Sequence, residues 1–248
     1  MATQPAIIAL KKINKIFPLE IGGEQQVLFD ISFSVNAGEF VAIMGPSGSG
    51  KSTCMNIIGA LDSASSGVYE LYGKDITTMT PDELATIRNE YIGFVFQNFN
   101  LLPKRNILDN VVLPLMYRGI SIEDRNRRAH EMLDLVGLKD FKSYLPTQLS
   151  GGMKQRVAIA RALSGNPKLI LADEPTGSLD SKMGNEILRF FKKLNSDMGI
   201  TIVIITHEFE ISQYAKRIIH IYDGHITYDG PVPKSESVLL KSQKERKK

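Results

Sequence analysis

The 248-residue sequence contains no tryptophan, a single cysteine (Cys54) and no apolar run long enough to cross a membrane. One cysteine cannot form an intramolecular disulfide, which fits a reducing compartment. A membrane-spanning helix needs about 18 or more consecutive apolar residues, so we expect any membrane role to come through a partner. The N-terminal stretch has only a short apolar run without a charged segment before it, so we expect no signal peptide.

The sequence also lacks a strong charge of one sign, since 30 Lys and Arg residues oppose 27 Asp and Glu residues. Residues 234–248 hold six basic and two acidic residues, a net charge of +4, which leaves −1 for residues 1–233. A domain that reads nucleic acid needs a basic face on its body, so we expect no nucleic-acid partner. The 43% apolar and 23% charged content is ordinary for a globular protein and excludes a collagen-like or wholly disordered chain.

Residue patterning predicts an α/β fold. Segments rich in β-branched and aromatic residues predict strands at 7–13, 27–35, 40–44, 68–72, 92–96, 169–172, 201–206, 217–222 and 225–228. Helix-start residues and apolar spacings of three and four predict helices at 51–60, 124–136, 150–163 and 182–195. We expect one domain over 1–233, with a mainly parallel sheet, an antiparallel β N-terminal layer and an inserted α-helical subdomain at about 98–162. The basic tail, 234–248, is expected to be disordered.

A glycine-rich loop follows the predicted apolar strand at 40–44. It has the pattern G-x-x-x-x-G-K-[ST] of a phosphate-binding loop, in the expected context between a strand and a helix. Its residues are Gly45, Pro46, Ser47, Gly48, Ser49, Gly50, Lys51 and Ser52. Glycines let successive N–H groups turn toward an anion, and the helix adds its positive N-terminus. Lys51 would reach the β- and γ-phosphates and Ser52 would ligate Mg²⁺, so the loop predicts nucleotide binding rather than an ordinary Gly/Ser turn.

Two adjacent acids end the apolar strand at 169–172. Because parallel strands present their carboxyl ends at the ligand-binding edge of a sheet, Asp173 and Glu174 are expected there. Asp173 is placed to hold Mg²⁺, and Glu174 to polarise an attacking water. The alternative is an acidic helix cap after a core strand.

A second anion-seeking helix start lies at Ser150, Gly151 and Gly152, where the serine can cap the helix and the glycines leave N–H groups open. A chain with one phosphate loop has no obvious use for it. Its presence makes sense if it serves the nucleotide of another subunit.

Together these motifs make the sequence resemble the ATP-binding cassette (ABC) family over about residues 5–230. GPSGSGKST (45–53), which includes Thr53, resembles the Walker A motif of a P-loop NTPase core. LSGGMKQ (149–155) resembles the signature motif, with Met153 in place of the more usual glutamine. LILADEP (169–175) resembles Walker B with its catalytic glutamate.

The resemblance implies roles for four further residues. Gln97 would be the Q-loop residue, which helps to bind Mg²⁺ and senses the transport subunit. His207 would be the switch histidine at the γ-phosphate, and Asp180 the D-loop residue at the dimer interface. Phe17 stands where the family places an aromatic ring to stack on adenine. Without the resemblance, His207 would be a surface residue at a strand end, Gln97 a turn residue, Asp180 a helix cap and Phe17 a core residue.

The resemblance further implies ATP as the nucleotide, a head-to-tail dimer with two ATP molecules between phosphate loop and opposing signature, and an integral membrane permease. The permease would dock around residues 97–115, where Phe99, Leu101 and Leu102 are candidate contacts. This stretch resembles the lipoprotein-release and macrolide-export subgroup, which places the protein in the cytoplasm at the inner face of the membrane. The alternatives are a cell-division cassette ATPase with a membrane partner, or a cassette ATPase acting on DNA or ribosomes.

Overall fold

Strands and helices alternate along most of the chain in the computed structural model, which describes residues 6–20 and 22–246. The strands are β1 (Ala6–Pro18), β2 (Glu24–Asn36), β3 (Phe40–Met44), β4 (Ser66–Leu71), β5 (Lys74–Asp75), β6 (Ile92–Phe96), β7 (Leu169–Asp173), β8 (Thr201–Thr206), β9 (Arg217–Tyr222) and β10 (His225–Pro231). The helices are α1 (Lys51–Ile58), α2 (Pro81–Tyr91), α3 (Ile107–Tyr117), α4 (Ile122–Leu135), α5 (Gly151–Ser164), α6 (Ser181–Met198), α7 (Phe209–Ser212) and α8 (Ser237–Arg246).

Over the described residues the strands form two sheets. One is antiparallel, with strand order β2-β1-β4-β5, and the other has the order β10-β9-β3-β8-β7-β6. In the second sheet β9, β3, β8, β7 and β6 run parallel, and β10 adds to its edge antiparallel to β9. The predicted α/β fold, with its mainly parallel sheet and antiparallel N-terminal layer, is confirmed.

The central strands of the parallel sheet are completely buried. All five residues of β3 and all six of β8 are buried, as expected for strands covered on both faces. Helices α3, α4 and α5 lie between β6 and β7 in sequence and pack into the same core through Val111, Leu133 and Ile159. They form the inserted helical region.

Among the described residues no helix has the length and apolar character needed to span a membrane.

The end of the chain differs from the expected disordered tail. Helix α8 lies in this segment, and its Leu239 is only 1% exposed because it joins the main core, where Tyr228 and Val232 also pack. The Gln243 side chain also reaches His220 of β9, with 3.3 Å between the two Nε2 atoms. The charge-rich composition suggested a solvated end, but one buried leucine is enough to anchor the helix.

This anchoring predicts unequal effects for two adjacent leucines. Replacing Leu239 with alanine should lower the free energy of unfolding by about 2 kcal/mol or more, because it leaves a cavity in the core. Leu240→Ala is the matched control, since Leu240 is 47% exposed and should change stability little. Urea denaturation of both variants checks this, and equal stability of the two would contradict a docked tail helix.

Candidate functional site

Strand register brings the predicted site residues to one edge of the parallel sheet. Met44 at the end of β3 pairs with Thr206 of β8, and Asp173 at the end of β7 pairs with Ile205 of β8 and Phe96 of β6. The residues that follow these strand ends therefore emerge side by side: Gly45, Glu174, Gln97 and His207. Such a row of carboxyl ends is where ligands bind in open α/β sheets.

The loop between β3 and α1 needs glycine at two positions that are critical to its shape. Gly45 has φ +152°, and a Cβ there would lie 2.0 Å from the carbonyl oxygen of Ile221. Gly50 has φ +99° immediately before α1. The Gly224 N–H donates to the Ser49 carbonyl at 3.0 Å, which ties the loop to the β9–β10 turn. The Ser49 hydroxyl is buried without a partner among the described residues, so it remains available to an anion.

Lys51 is the first residue of α1 and is only 6% exposed. Its Nζ donates to the Pro46 carbonyl at 2.7 Å, so the ammonium group lies within the curled loop. Burial lowers the pKa of Lys51, while the charges of Glu174 and Asp173 act in the opposite direction. The site thus holds one desolvated cation close to two carboxylates.

The two carboxylates differ in their surroundings. Burial, followed by repulsion from Glu174, raises the pKa of Asp173 above its usual value, although Lys51 counteracts this. Glu174 has a left-handed backbone with φ +41°, which is costly for a residue with a Cβ. Its N–H donates to the Ile205 carbonyl at 2.9 Å, and its Oε1 lies 2.7 Å from Nδ1 of His207. A hydrogen-bonded pair therefore stands at the edge where a substrate phosphate would sit.

Gln97 lies against the segment that follows Glu174. A Cβ on Gly177 would be 2.6 Å from the Gln97 Nε2, and the Ser178 hydroxyl donates to the Gln97 carbonyl at 3.2 Å. The loop after β6 and the loop after β7 are thus in contact.

The predicted magnesium ligands offer oxygen donors, which are the ligands that Mg²⁺ prefers. Ser52 has an exposed hydroxyl, Asp173 a half-buried carboxylate and Gln97 an amide oxygen. Among the described residues no group of three or more His, Cys, Asp or Glu side chains could hold a metal by itself. This donor set fits a magnesium ion that is bound mainly through the phosphates of its substrate.

The second glycine-rich helix start packs against the loop after β7. Ser150 caps α5 by accepting from the Met153 N–H at 3.3 Å. A Cβ on Gly152 would lie 2.3 Å from the Met183 Cε, and the Gln155 Nε2 donates to the Pro175 carbonyl at 2.7 Å. Asp180 caps α6 through the Met183 N–H at 3.0 Å. The Gly151 and Asp180 segments are therefore held together.

Phe17 lies near the end of β1 and is 37% exposed, so it is not a core residue. Its ring is covered on one side by the ammonium group of Lys15, which lies 4.7 Å from the ring centroid. Sequence reasoning missed Lys15. Its position two residues before Phe17, on the same side of an extended strand, was the only available signal.

Cys54 is fully buried in α1, and burial raises the pKa of its thiol to about 12. A thiol of this kind is unreactive at neutral pH. Cys54 therefore acts as a small core residue.

Comparison with known proteins identifies a family. The family described as "ABC transporter" matches residues 28–177. An uncharacterized ABC transporter ATP-binding protein, YknY of Bacillus subtilis (strain 168), is 51% identical over 89% of this chain and 95% of its own length. The macrolide export ATP-binding/permease protein MacB of Syntrophobacter fumaroxidans is 50% identical over 89% of this chain, but this chain spans only 31% of that protein.

Solved structures give the same result. The ATP-binding cassette MJ0796, described as a dimer in a post-hydrolysis state with ADP and Pi, superposes with a TM-score of 0.83 at 43% identity. The match covers 92% of this chain and all of that one. A second dimeric structure of MJ0796 superposes equally well, at 44% identity.

The geometry of the loop predicts that Lys51→Ala loses affinity for ATP. Removing the ammonium group should weaken ATP binding by about tenfold or more, because a charge-assisted contact to phosphate is lost. Lys192→Ala, which changes an exposed lysine of α6, is the control and should bind like the wild type. Isothermal titration calorimetry provides the measurement, and unchanged affinity of the Lys51 variant would count against the phosphate loop.

Proposed function

This chain belongs to the ABC transporter family and is an ATPase, and from this premise we propose that its ATP-driven dimerisation powers a separate membrane permease. The observation that carries the proposal is the meeting, at one sheet edge, of the glycine loop, Lys51 and the Glu174–His207 pair. These groups can bind a triphosphate and activate the water that attacks it.

The proposed reaction assigns one task to each group. The N–H groups of residues 45–53, with the Lys51 ammonium, hold the phosphates. Glu174 polarises the attacking water, and His207, within hydrogen-bond distance of Glu174, steadies that carboxylate and contacts the γ-phosphate. The adenine base stacks on the Phe17 ring.

Magnesium would complete the phosphate site. Ser52, Gln97 and Asp173 are the residues that would hold it, since they offer a hydroxyl, an amide oxygen and a carboxylate at the sheet edge from which the loop emerges. When bound, Mg²⁺ neutralises charge on the phosphates and thus favours transfer of the terminal phosphoryl group. Burial and the charge of Glu174 destabilise the Asp173 carboxylate, and the positive charge of the ion would compensate for this.

The proposed dimer explains the second glycine-rich helix start. Ser150, Gly151 and Gly152 form a helix N-terminus, which suits a phosphate that comes from a second copy of the chain. Asp180, held beside them at the start of α6, would then shape the interface. The dimeric structures of the similar cassette MJ0796 support this arrangement.

A groove beside Gln97 is the proposed docking site of the permease. Its cavity of about 640 Å³ lies among α2, β6, α3 and α5. Its apolar lining includes Phe94, Phe96, Leu113, Pro114 and Tyr117. Tyr117 is 83% exposed, so its ring is accessible to a partner.

The groove corresponds only partly to the expected docking residues. Phe99, Leu101 and Leu102 do not line the cavity, although Asn100 between them does. Leu101 packs on the core, while Leu102 remains 43% exposed. The proposed groove therefore includes Asn100, Leu113 and Pro114 of the expected region 97–115 and extends beyond it to Phe94, Phe96 and Tyr117.

The similarity to a macrolide export protein supports an export system. We infer that the permease is encoded separately or by another segment, that its substrate is a macrolide, peptide or lipoprotein, and that the cassette works in the cytoplasm at the inner face of the membrane.

Glu174→Gln should separate binding from hydrolysis. The variant is expected to bind ATP, but its rate of hydrolysis should fall by about 100-fold or more, because a neutral amide cannot take the proton from water. It should then accumulate as an ATP-bound dimer in size-exclusion chromatography. Glu210→Gln, an exposed acid on α7, is the control. Wild-type turnover in the Glu174 variant would reject the assigned base.

The docking groove is tested by co-purification with a four-span permease, if the neighbouring reading frame encodes one. Tyr117→Asp should abolish retention of the permease, because a carboxylate cannot be buried in an apolar interface without a large desolvation cost. Tyr144→Asp changes a tyrosine that is 41% exposed but lies outside the groove, and should retain the permease. Retention by both variants would move the docking site elsewhere, and no retention by the wild type would favour a different partner.

A further inference from the structure

Lys15 on β1 is a lysine whose charged end is withdrawn from solvent. The residue is 8% exposed, and its Nζ donates to the Asp62 Oδ1 at 2.7 Å and to the Ser63 carbonyl at 2.7 Å. Lysine is rarely buried to this extent unless its charge is paired. Two acceptors from one short segment therefore fix the position of the ammonium group.

The same ammonium group lies over the ring of Phe17. Its distance of 4.7 Å from the ring centroid is within the range of cation–π attraction. One face of the ring is thus occupied from within the protein, and Phe17 is still 37% exposed. The opposite face is the one that a flat ligand can cover.

The segment that holds Lys15 is itself attached to the phosphate-loop helix. The N–H groups of Leu61 and Asp62 both donate to the Asn56 carbonyl of α1, at 2.8 and 3.2 Å. Helix α1 begins at Lys51, within the phosphate loop. A continuous chain of contacts therefore runs from the Phe17 ring through Lys15 and Asp62 to the helix that carries the phosphate site.

We propose that Lys15 is a positioning residue for the nucleotide base. It holds the Phe17 ring with one face open and, through Asp62, fixes the distance between this ring and the phosphate loop. A ligand with a base at one end and phosphates at the other gains affinity when both surfaces are preorganised, since less ordering is needed on binding. The inference rests on the proposed stacking of adenine on Phe17.

The test compares ATP with inorganic tripolyphosphate, which carries the phosphate chain but no base. Lys15→Met, which removes the charge and keeps the length, should weaken ATP binding about five- to tenfold. It should leave tripolyphosphate binding unchanged, a split that a general loss of structure would not produce. Lys15→Arg keeps the cation and should restore most of the ATP affinity. If Lys15→Met does not fold, Asp62→Asn should give the same split.

A Phe17→Ala background shows whether Lys15 acts through the ring. In this background Lys15→Met should cause no additional loss of ATP affinity. A further loss there, a parallel loss for both ligands, or unchanged ATP binding of Lys15→Met would each overturn the inference. If Phe17→Ala alone leaves ATP binding intact while Lys51→Ala abolishes it, the stacking platform is rejected but nucleotide binding at the phosphate loop stands.

Discussion

The in-register pairing of buried parallel strands is the constraint on which the site depends. Strands β3, β8, β7 and β6 end level with one another, so that four loops from distant parts of the chain meet at one edge. If one strand shifted by one residue, its alternating side chains would turn to the other face of the sheet. The loop that follows this strand would then no longer meet the other three. Every residue of β3 and β8 is buried, including Thr201 and Thr206 at the two ends of β8, so these central strands hold the edge in place from inside the core.

The charges of the site balance one another only in part. Lys51 is desolvated between a loop carbonyl and two carboxylates, and Asp173 is made less stable as an anion by burial and by Glu174. A ligand that brings both negative phosphates and a positive metal ion interacts more strongly with such buried groups than with exposed ones, because water screens the buried charges only weakly. The strained backbone of Glu174 is consistent with a residue placed for reaction rather than for stability.

Contacts between loops connect the site to the rest of the molecule. Gln97 touches the segment at Gly177 and Ser178, and Gln155 of the signature helix bonds to the Pro175 carbonyl. The groove that we propose for the permease is lined by Phe96, the residue immediately before Gln97. A partner in this groove would therefore lie one residue from the loop at the sheet edge where we propose that hydrolysis takes place.

The sequence by itself determined the fold class, the order of the motifs and the family, because glycine loops, apolar strands and acidic strand ends leave local patterns. It also indicated which residue types could meet phosphate. Tertiary structure alone decided the contact between Glu174 and His207, the cation–π contact of Lys15 with the Phe17 ring, and the residues that line the groove. It also decided that Leu239 anchors a tail whose charge suggested disorder. These contacts join residues far apart in the chain or depend on the direction of one side chain, and neither property is visible in a local pattern.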